Sequence, residues 1–382
     1  MTTTTIPANA GRTTAVTVDR AELDRRHAAI RKTMVEDGID LLVLYSSPLR
    51  NYDVHFAAHY DLIGCGALVA LPLDGEPTLY VGEEWDLERA RRVSPLRDVR
   101  YEPNLAALCG KLLRTKNSAM TAFEWSDSTF AEEVRSAAGG SVRDASPTLD
   151  RAARTKTPVE QALIREAAAL ADSSFLYSFD KLAEGMPEYQ LQAEMEYAMR
   201  KGGAVDNFGF FTSGKHNRAI GLVTDKPIEN GDLLIFEITP ARLNRNYSAQ
   251  LCRTMSMGAA SSAVKEKFKI ITEALEAGLE IVKPGTLVCD LVSAQDSVIS
   301  RYGFGDYCKP PYMRARGHGF GIGRTDLAPK NKRQLEAGMA MIVHPNQYFP
   351  DVGYLALGEM IIVTDTGYER LCGLDRKVYE KV

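Results

Sequence analysis

The chain is short of the features that would settle its class at a glance. None of its six cysteines, Cys65, Cys109, Cys252, Cys289, Cys308 and Cys372, stands in a Cys-x-x-Cys pair, which excludes a zinc knuckle and a dithiol redox motif. They read instead as small buried hydrophobes. No apolar run reaches the roughly 18 residues of a membrane helix, and the opening MTTTTIPANAGRTT has no basic region followed by an apolar core. The expectation is a cytoplasmic protein with no membrane partner and a loose tail over residues 1–18. Charge of one sign is also scarce. A net charge of −4, with acidic and basic residues mixed along the chain, leaves no footprint for nucleic acid. Low-complexity segments and sequence repeats are absent.

What remains is an ordinary globular composition, 45% apolar and 25% charged. At 382 residues the chain is long for one core, and two domains are expected. From Arg20, RAELDRRHAAIRKTMVEDGID repeats apolar residues at helical spacing and runs into LLVLY, a buried strand signal. GCGALVALP, TLYVG and SAMTAFEW read as further strands, with helices at EWDLERARRV and NLAALCGKLLR. This alternation predicts a compact α/β domain over 19–152. Thr157-Pro158 with Glu160 is a helix start before a long amphipathic run. A second helix, EYQLQAEMEYAMRKGGA, stops at Gly202-Gly203, and strand-rich sequence follows around one more helix, SSAVKEKFKIITEALEAGLEIV. The second domain, 153–382, is therefore expected to be α+β.

Polar residues inside strongly apolar strands are the informative anomaly, because an unpaired buried charge is costly. Glu237 interrupts LLIFEIT, Gln250 sits in YSAQLCRT, His344 ends MAMIV and Glu359 starts EMIIV. His318 lies in RARGHGFGIG, where the surrounding glycines suit a backbone approached closely by another group. These five residues are the candidate catalytic set, expected to converge on the concave face of a sheet.

The order of these segments resembles the pita-bread family that contains creatinase, aminopeptidase P, prolidase and methionine aminopeptidase. The resemblance runs over nearly the whole chain after the tail. PLRNYDVHFA stands where the family's amino-terminal domain has Asn-x-x-Tyr-x-x-Gly-Phe. RAARTKTPVEQALIREAA is similar to the helix opening the catalytic domain; IENGDLLIFEI, YSAQLCRT, GHGFGIG, LEAGMAMIVHPNQYFP and GEMIIVTDTGYERL follow in family order. The fold implied is α+β: a pita-bread catalytic domain preceded by a smaller α/β domain of the creatinase/prolidase amino-terminal type.

Metal-dependent members bind two divalent cations with Asp, Asp, His, Glu and Glu on these segments. Here the corresponding places are read as Glu237, Gln250, His318, His344 and Glu359. A neutral amide is a poor bridge between cations, so a standard dinuclear aminopeptidase is not expected. Two readings stay open. One is a mononuclear site of His318, His344 and Glu359, a set suited to iron and tolerated by zinc or manganese; the other is metal-free acid–base chemistry, for which creatinase is the precedent. Arg314, Arg316 and Arg253, suited to gripping a carboxylate, are candidate substrate contacts, with His216 and Tyr52. The resemblance implies a homodimer in which one subunit's amino-terminal domain caps the other's site. The leading expectation is a creatinase-like hydrolase or lyase that cleaves a C–N or adjacent bond in a small amino-acid-like or guanidino-type carboxylate. The alternatives are a variant metal-dependent Xaa-Pro aminopeptidase or prolidase, a mononuclear iron enzyme, and a non-catalytic binding protein.

Overall fold

The computed structural model describes residues 16–48 and 50–382; the expected tail over 1–18 lies almost wholly outside them. Backbone contacts divide the chain into an amino-terminal unit, 17–154 with 321–323, and a carboxy-terminal unit of 155–320 and 324–382.

In the amino-terminal unit, Asp19 caps α1 (Arg20–Asp37) by accepting from the Glu22 amide, and Gly38 closes it in the left-handed region. The strands β1 (Leu41–Ser46), β2 (Ala67–Pro72), β3 (Thr78–Val81), β4 (Asp98–Tyr101) and β5 (Ser118–Met120) form one sheet in the order β4-β3-β2-β1-β5. Helices α2 (Asp53–Ala58), α3 (Leu87–Val93), α4 (Leu105–Leu113), α5 (Ser128–Ala138) and α6 (Ser146–Ala153) complete the unit. SAMTAFEW is only partly strand: after Met120 the chain turns at Ala122, whose φ is 57°, into a 3-10 turn over Phe123–Trp125.

The carboxy-terminal unit begins with α7 (Pro158–Lys181), set by a complete capping box between Thr157 and Glu160 with proline at the first helical position. After α8 (Glu188–Lys201) come β6 (Asp206–Gly214), β7 (Leu233–Ala241) and β8 (Leu251–Met257), then α9 (Ser262–Glu280) and α10 (Val288–Arg301). The remaining strands are β9 (Gly317–His318), β10 (Ala340–Val343), β11 (Gln347–Phe349), β12 (Gly353–Leu355), β13 (Glu359–Val363), β14 (Tyr368–Arg370) and β15 (Tyr379–Lys381). Two four-stranded sheets result, β15-β8-β7-β6 and β14-β13-β10-β9, joined by an antiparallel bridge between Cys252 and Gly358. This is the α+β arrangement the sequence predicts for the second domain.

Period-two alternation sorts every strand residue onto one of two faces. On β10 and β13 the odd-numbered residues Met341, Val343, Ile361 and Val363 join the apolar core formed with α9 and α10. On β7, Phe236 packs edge-on against Phe175 of α7. The helices thus cover one face of each sheet and leave the other to the candidate site. Among the six cysteines only Cys109, Cys252 and Cys372 are buried; Cys65 is exposed, and Cys289 and Cys308 are intermediate, so the expectation of six buried hydrophobes holds for half of them.

Candidate active site

Glu237, Gln250, His318 and His344 are brought to the helix-free faces. Antiparallel register sets Glu237 opposite Cys252, so the two side chains share a face, and Gln250, two residues from Cys252, shares it as well. His318 pairs in register with Ile342, on the face that His344 continues, and the two imidazole rings stand 5.5 Å apart, edge to face. Gly317 makes this possible. Its φ is 144°, and a β-carbon there would lie 2.0 Å from the Ile342 carbonyl, so only glycine lets the strand approach this closely. A β-carbon on Gly358 would lie 3.0 Å from Cys252 and 3.0 Å from His344, which ties the two sheets' polar residues into one cluster.

Asn346 holds the carboxylate. Its Nδ2 donates to Glu237 Oε1 at 2.8 Å, while its Oδ1 accepts the Leu357 amide at 3.0 Å, so the amide plane is fixed from both ends. Burial pushes the Glu237 carboxyl up to about 7, against the opposing pull of hydrogen bonds from Cys252 and Asn346. Burial likewise lowers both histidines. His344 falls to about 3, helped by neighbouring His318, and His318 is lowered despite its bond to the Gly319 carbonyl. Both rings are therefore neutral near pH 7. His318 donates from Nδ1 to Gly319 O at 3.1 Å, which leaves Nε2 as a bare acceptor. The arrangement offers one carboxyl able to carry or release a proton near neutrality and two uncharged imidazoles.

Glu359 does not join them. It opposes Val343 in register and so lies on the helix-covered face, whereas its neighbour Gly358 faces the histidines and has no side chain. Its carboxylate, fully buried, accepts from Arg253 Nη2 at 3.1 Å, Arg370 Nε at 2.6 Å and Arg376 Nε at 3.3 Å. A carboxylate held by three guanidinium groups on the opposite face of the strand is not presented to a cation beside the histidines, and the set His318, His344 and Glu359 is corrected on that ground.

The proposed substrate contacts are also redistributed. Arg253 is fully buried against Glu359 and the Gly358 carbonyl. Arg316, equally buried, binds Asp296 Oδ1 at 2.7 Å, Asn346 O at 2.9 Å and Gln347 Oε1 at 3.0 Å. It braces the segment carrying His344 and Asn346 rather than presenting a free guanidinium. Arg314 is exposed. His216 is an exposed ring bonded to the Pro350 carbonyl, and Tyr52 precedes α2 in the amino-terminal unit. Sequence reasoning missed Asn346 and Cys252. An asparagine after His344-Pro345 reads as a turn residue, and a cysteine among apolar neighbours reads as core. The period-two pattern through Glu237 and Cys252 was the available signal.

One mixed and one antiparallel sheet, each with helices on one face and polar residues on the other, define a two-domain pita-bread protein. The description "Metallopeptidase family M24" matches residues 162–365, more than half of the chain, and the chain belongs to that family. The Xaa-Pro dipeptidase of Pyrococcus furiosus is 28% identical over 229 residues, covering 58% of this chain and 64% of the relative. A peptidase of Staphylococcus aureus strain MW2 is 28% identical over 235 residues, covering 60% of this chain and 65% of that relative. The match thus spans about 64% of the length of the first such relatives. Among solved structures, the Xaa-Pro dipeptidase from Bacillus anthracis superposes with a TM-score of 0.82 at 22% identity, over 94% of this chain and 100% of that one. The prolidase from Pyrococcus furiosus gives 0.78 at 25% identity, over 90% and 99%.

These findings overturn the leading expectation from sequence. The relatives bear the names Xaa-Pro dipeptidase and prolidase, so the creatinase-like, non-peptidase reading gives way to a peptidase one. The family also implies divalent metal, and the residues on the site face can be tested against it. Gln250 is neutral, Gly358 offers no donor and Glu359 is on the other face. Among the described residues, no group of three or more His, Cys, Asp or Glu is arranged to hold a metal ion. The donor set does not fit the family's metal. No helix among the described residues is long and apolar enough to cross a membrane.

Proposed function

We propose that the chain hydrolyses the peptide bond of small Xaa-Pro-type peptides, with Glu237 as its proton-handling group. The observation that carries this reading is Glu237 itself: a buried carboxyl poised near pH 7, gripped by Asn346 on the polar face, in a chain whose relatives are named for Xaa-Pro cleavage. In hydrolysis a water adds to the amide carbon, the water's proton goes to a base, and the departing imino nitrogen takes up a proton. A carboxyl titrating near neutrality suits both transfers, since it accepts as Glu237 and returns the proton as the acid. The neutral His318 Nε2 supplies a second acceptor on the same face.

The test is turnover. A panel of Xaa-Pro dipeptides and matched Xaa-Ala dipeptides, followed by release of free amino acid, should show cleavage favouring proline. Glu237→Gln should lower kcat by about 100-fold or more, the scale of lost general acid–base catalysis. Full activity in that variant, or no proline preference, would refute the reading.

A further inference from the structure

Three polar side chains on the site face keep a buried polar atom with no partner in the protein: His344, at Nδ1, and the pair Thr239 and Gln250. Thr239 is 5% exposed and Gln250 3% exposed, and neither Thr239 Oγ1 nor Gln250 Oε1, both buried, makes a hydrogen bond. They are neighbours. The β7–β8 register pairs Ile238 with Leu251 and continues to the Ala241–Ser248 bridge, which sets Thr239 opposite Gln250, next along the face from the Glu237–Cys252 pair. Buried polar atoms are nearly always bonded, and an acceptor left bare inside a fold is a place where a ligand supplies the donor.

The charge around them indicates which donor. Glu237 is the buried carboxyl next to them, Asp326 lies opposite His318 and is paired with Arg324, and the two imidazoles are held neutral. The guanidinium groups of Arg253 and Arg316 are committed to Glu359 and Asp296, and that of Arg324 to Asp326. An amide oxygen, a hydroxyl and a carboxyl together receive a group rich in N–H donors, and an ammonium has three. The same position in the metal-dependent pattern calls for a bridging carboxylate, which Gln250 does not provide.

We infer that Thr239 and Gln250, beside Glu237, form a subsite for the protonated terminal amine of the substrate, bound by hydrogen bonds where the family uses a metal pair. This rests on the Xaa-Pro reading for the identity of the peptide. It makes the free amino terminus the recognition element and requires no cation to hold it.

Calorimetric titration of the full-length protein tests it, with glycyl-proline, N-acetyl-glycyl-proline and manganese chloride alone as probes, alongside a turnover assay of both peptides. The free dipeptide is expected to bind about tenfold or more tighter than its acetylated form, the factor given by one good hydrogen bond. Gln250→Leu and the near-isosteric Thr239→Val should each erase most of that preference, with circular dichroism melts reporting whether each variant folds. Manganese should show no stoichiometric binding. Equal binding of the two peptides, a preference surviving in a folded variant, or one to two manganese ions per chain would overturn the inference. If glycyl-proline binds with the stated preference and is not cleaved, the subsite stands and the hydrolase reading falls; cleavage without the preference means the reverse. Failure to bind either peptide removes both.

Discussion

Glu359→Gln separates a structural carboxylate from a catalytic one. The substitution keeps the shape but turns one acceptor oxygen into an N–H donor and removes the one negative charge that Arg253, Arg370 and Arg376 share. Arg370 and Arg376 keep 34% and 20% of their side-chain exposure and can recover water, so little of the loss is assigned to them. Arg253 has none. Leaving a fully buried guanidinium without its counter-charge costs about 3 kcal/mol, the lower end for a broken buried pair. In a unit of this size each kcal/mol moves Tm by roughly 2–4 °C, which gives a fall of about 6–12 °C. Differential scanning calorimetry should be read as the shift of the carboxy-terminal unit's transition, because the chain has two units and is not treated as two-state. The variant's KM for a dipeptide, measured well below the new Tm, should stay near wild type. A variant melting within about 1–2 °C of wild type while losing substrate or metal binding would refute the argument and return Glu359 to the site face.

Two further outcomes are expected. Because the Glu237 carboxyl is raised from 4.5 to about 7, its ionisation opposes folding: the contribution is fully present below pH 4.5 and is lost as pH rises to 7. Glu237→Gln should therefore gain stability relative to wild type above pH 7, on the order of 3 kcal/mol, and lose that advantage toward pH 4.5 in urea melts across that range; a constant difference across pH would contradict the burial argument. Gly317→Ala should destabilise by about 1–3 kcal/mol, since a β-carbon must displace the Ile342 carbonyl. It should also abolish turnover by moving His318, and an unchanged Tm in a thermal melt would count against the close approach.

The fold was legible because its signals are local. Thr157-Pro158 with Glu160 is a helix start in sequence and a complete capping box in structure, and the apolar runs around Glu237 and His344 are strands. Part of the site was legible for the same reason, since a charge inside LLIFEIT has few places to go. The failure at Glu359 has a definite cause. Family order aligned the segment, but which face a residue meets changes with every step of one along a strand. Reading Ile361 and Val363 as core would have put Glu359 with them. Asn346 was invisible for a different reason: its role depends on Leu357 and Glu237, distant in sequence and joined only by the sheets.

The alternation that misled the reading also bears on how this scaffold changes over time. Glu237 is flanked by Phe236 and Ile238, and Gly358 by Leu357 and Glu359, so each position on the reactive face lies between two that hold the fold together. Substitutions at 237, 250, 344 and 358 alter what the face can bind without cutting into the packed side of the same strand. Chemistry and folding are thus written on opposite sides of one ribbon and can drift separately. A lineage built this way can exchange ligands for hydrogen-bonding groups one residue at a time, and shared ancestry then specifies the scaffold more firmly than the reaction it supports.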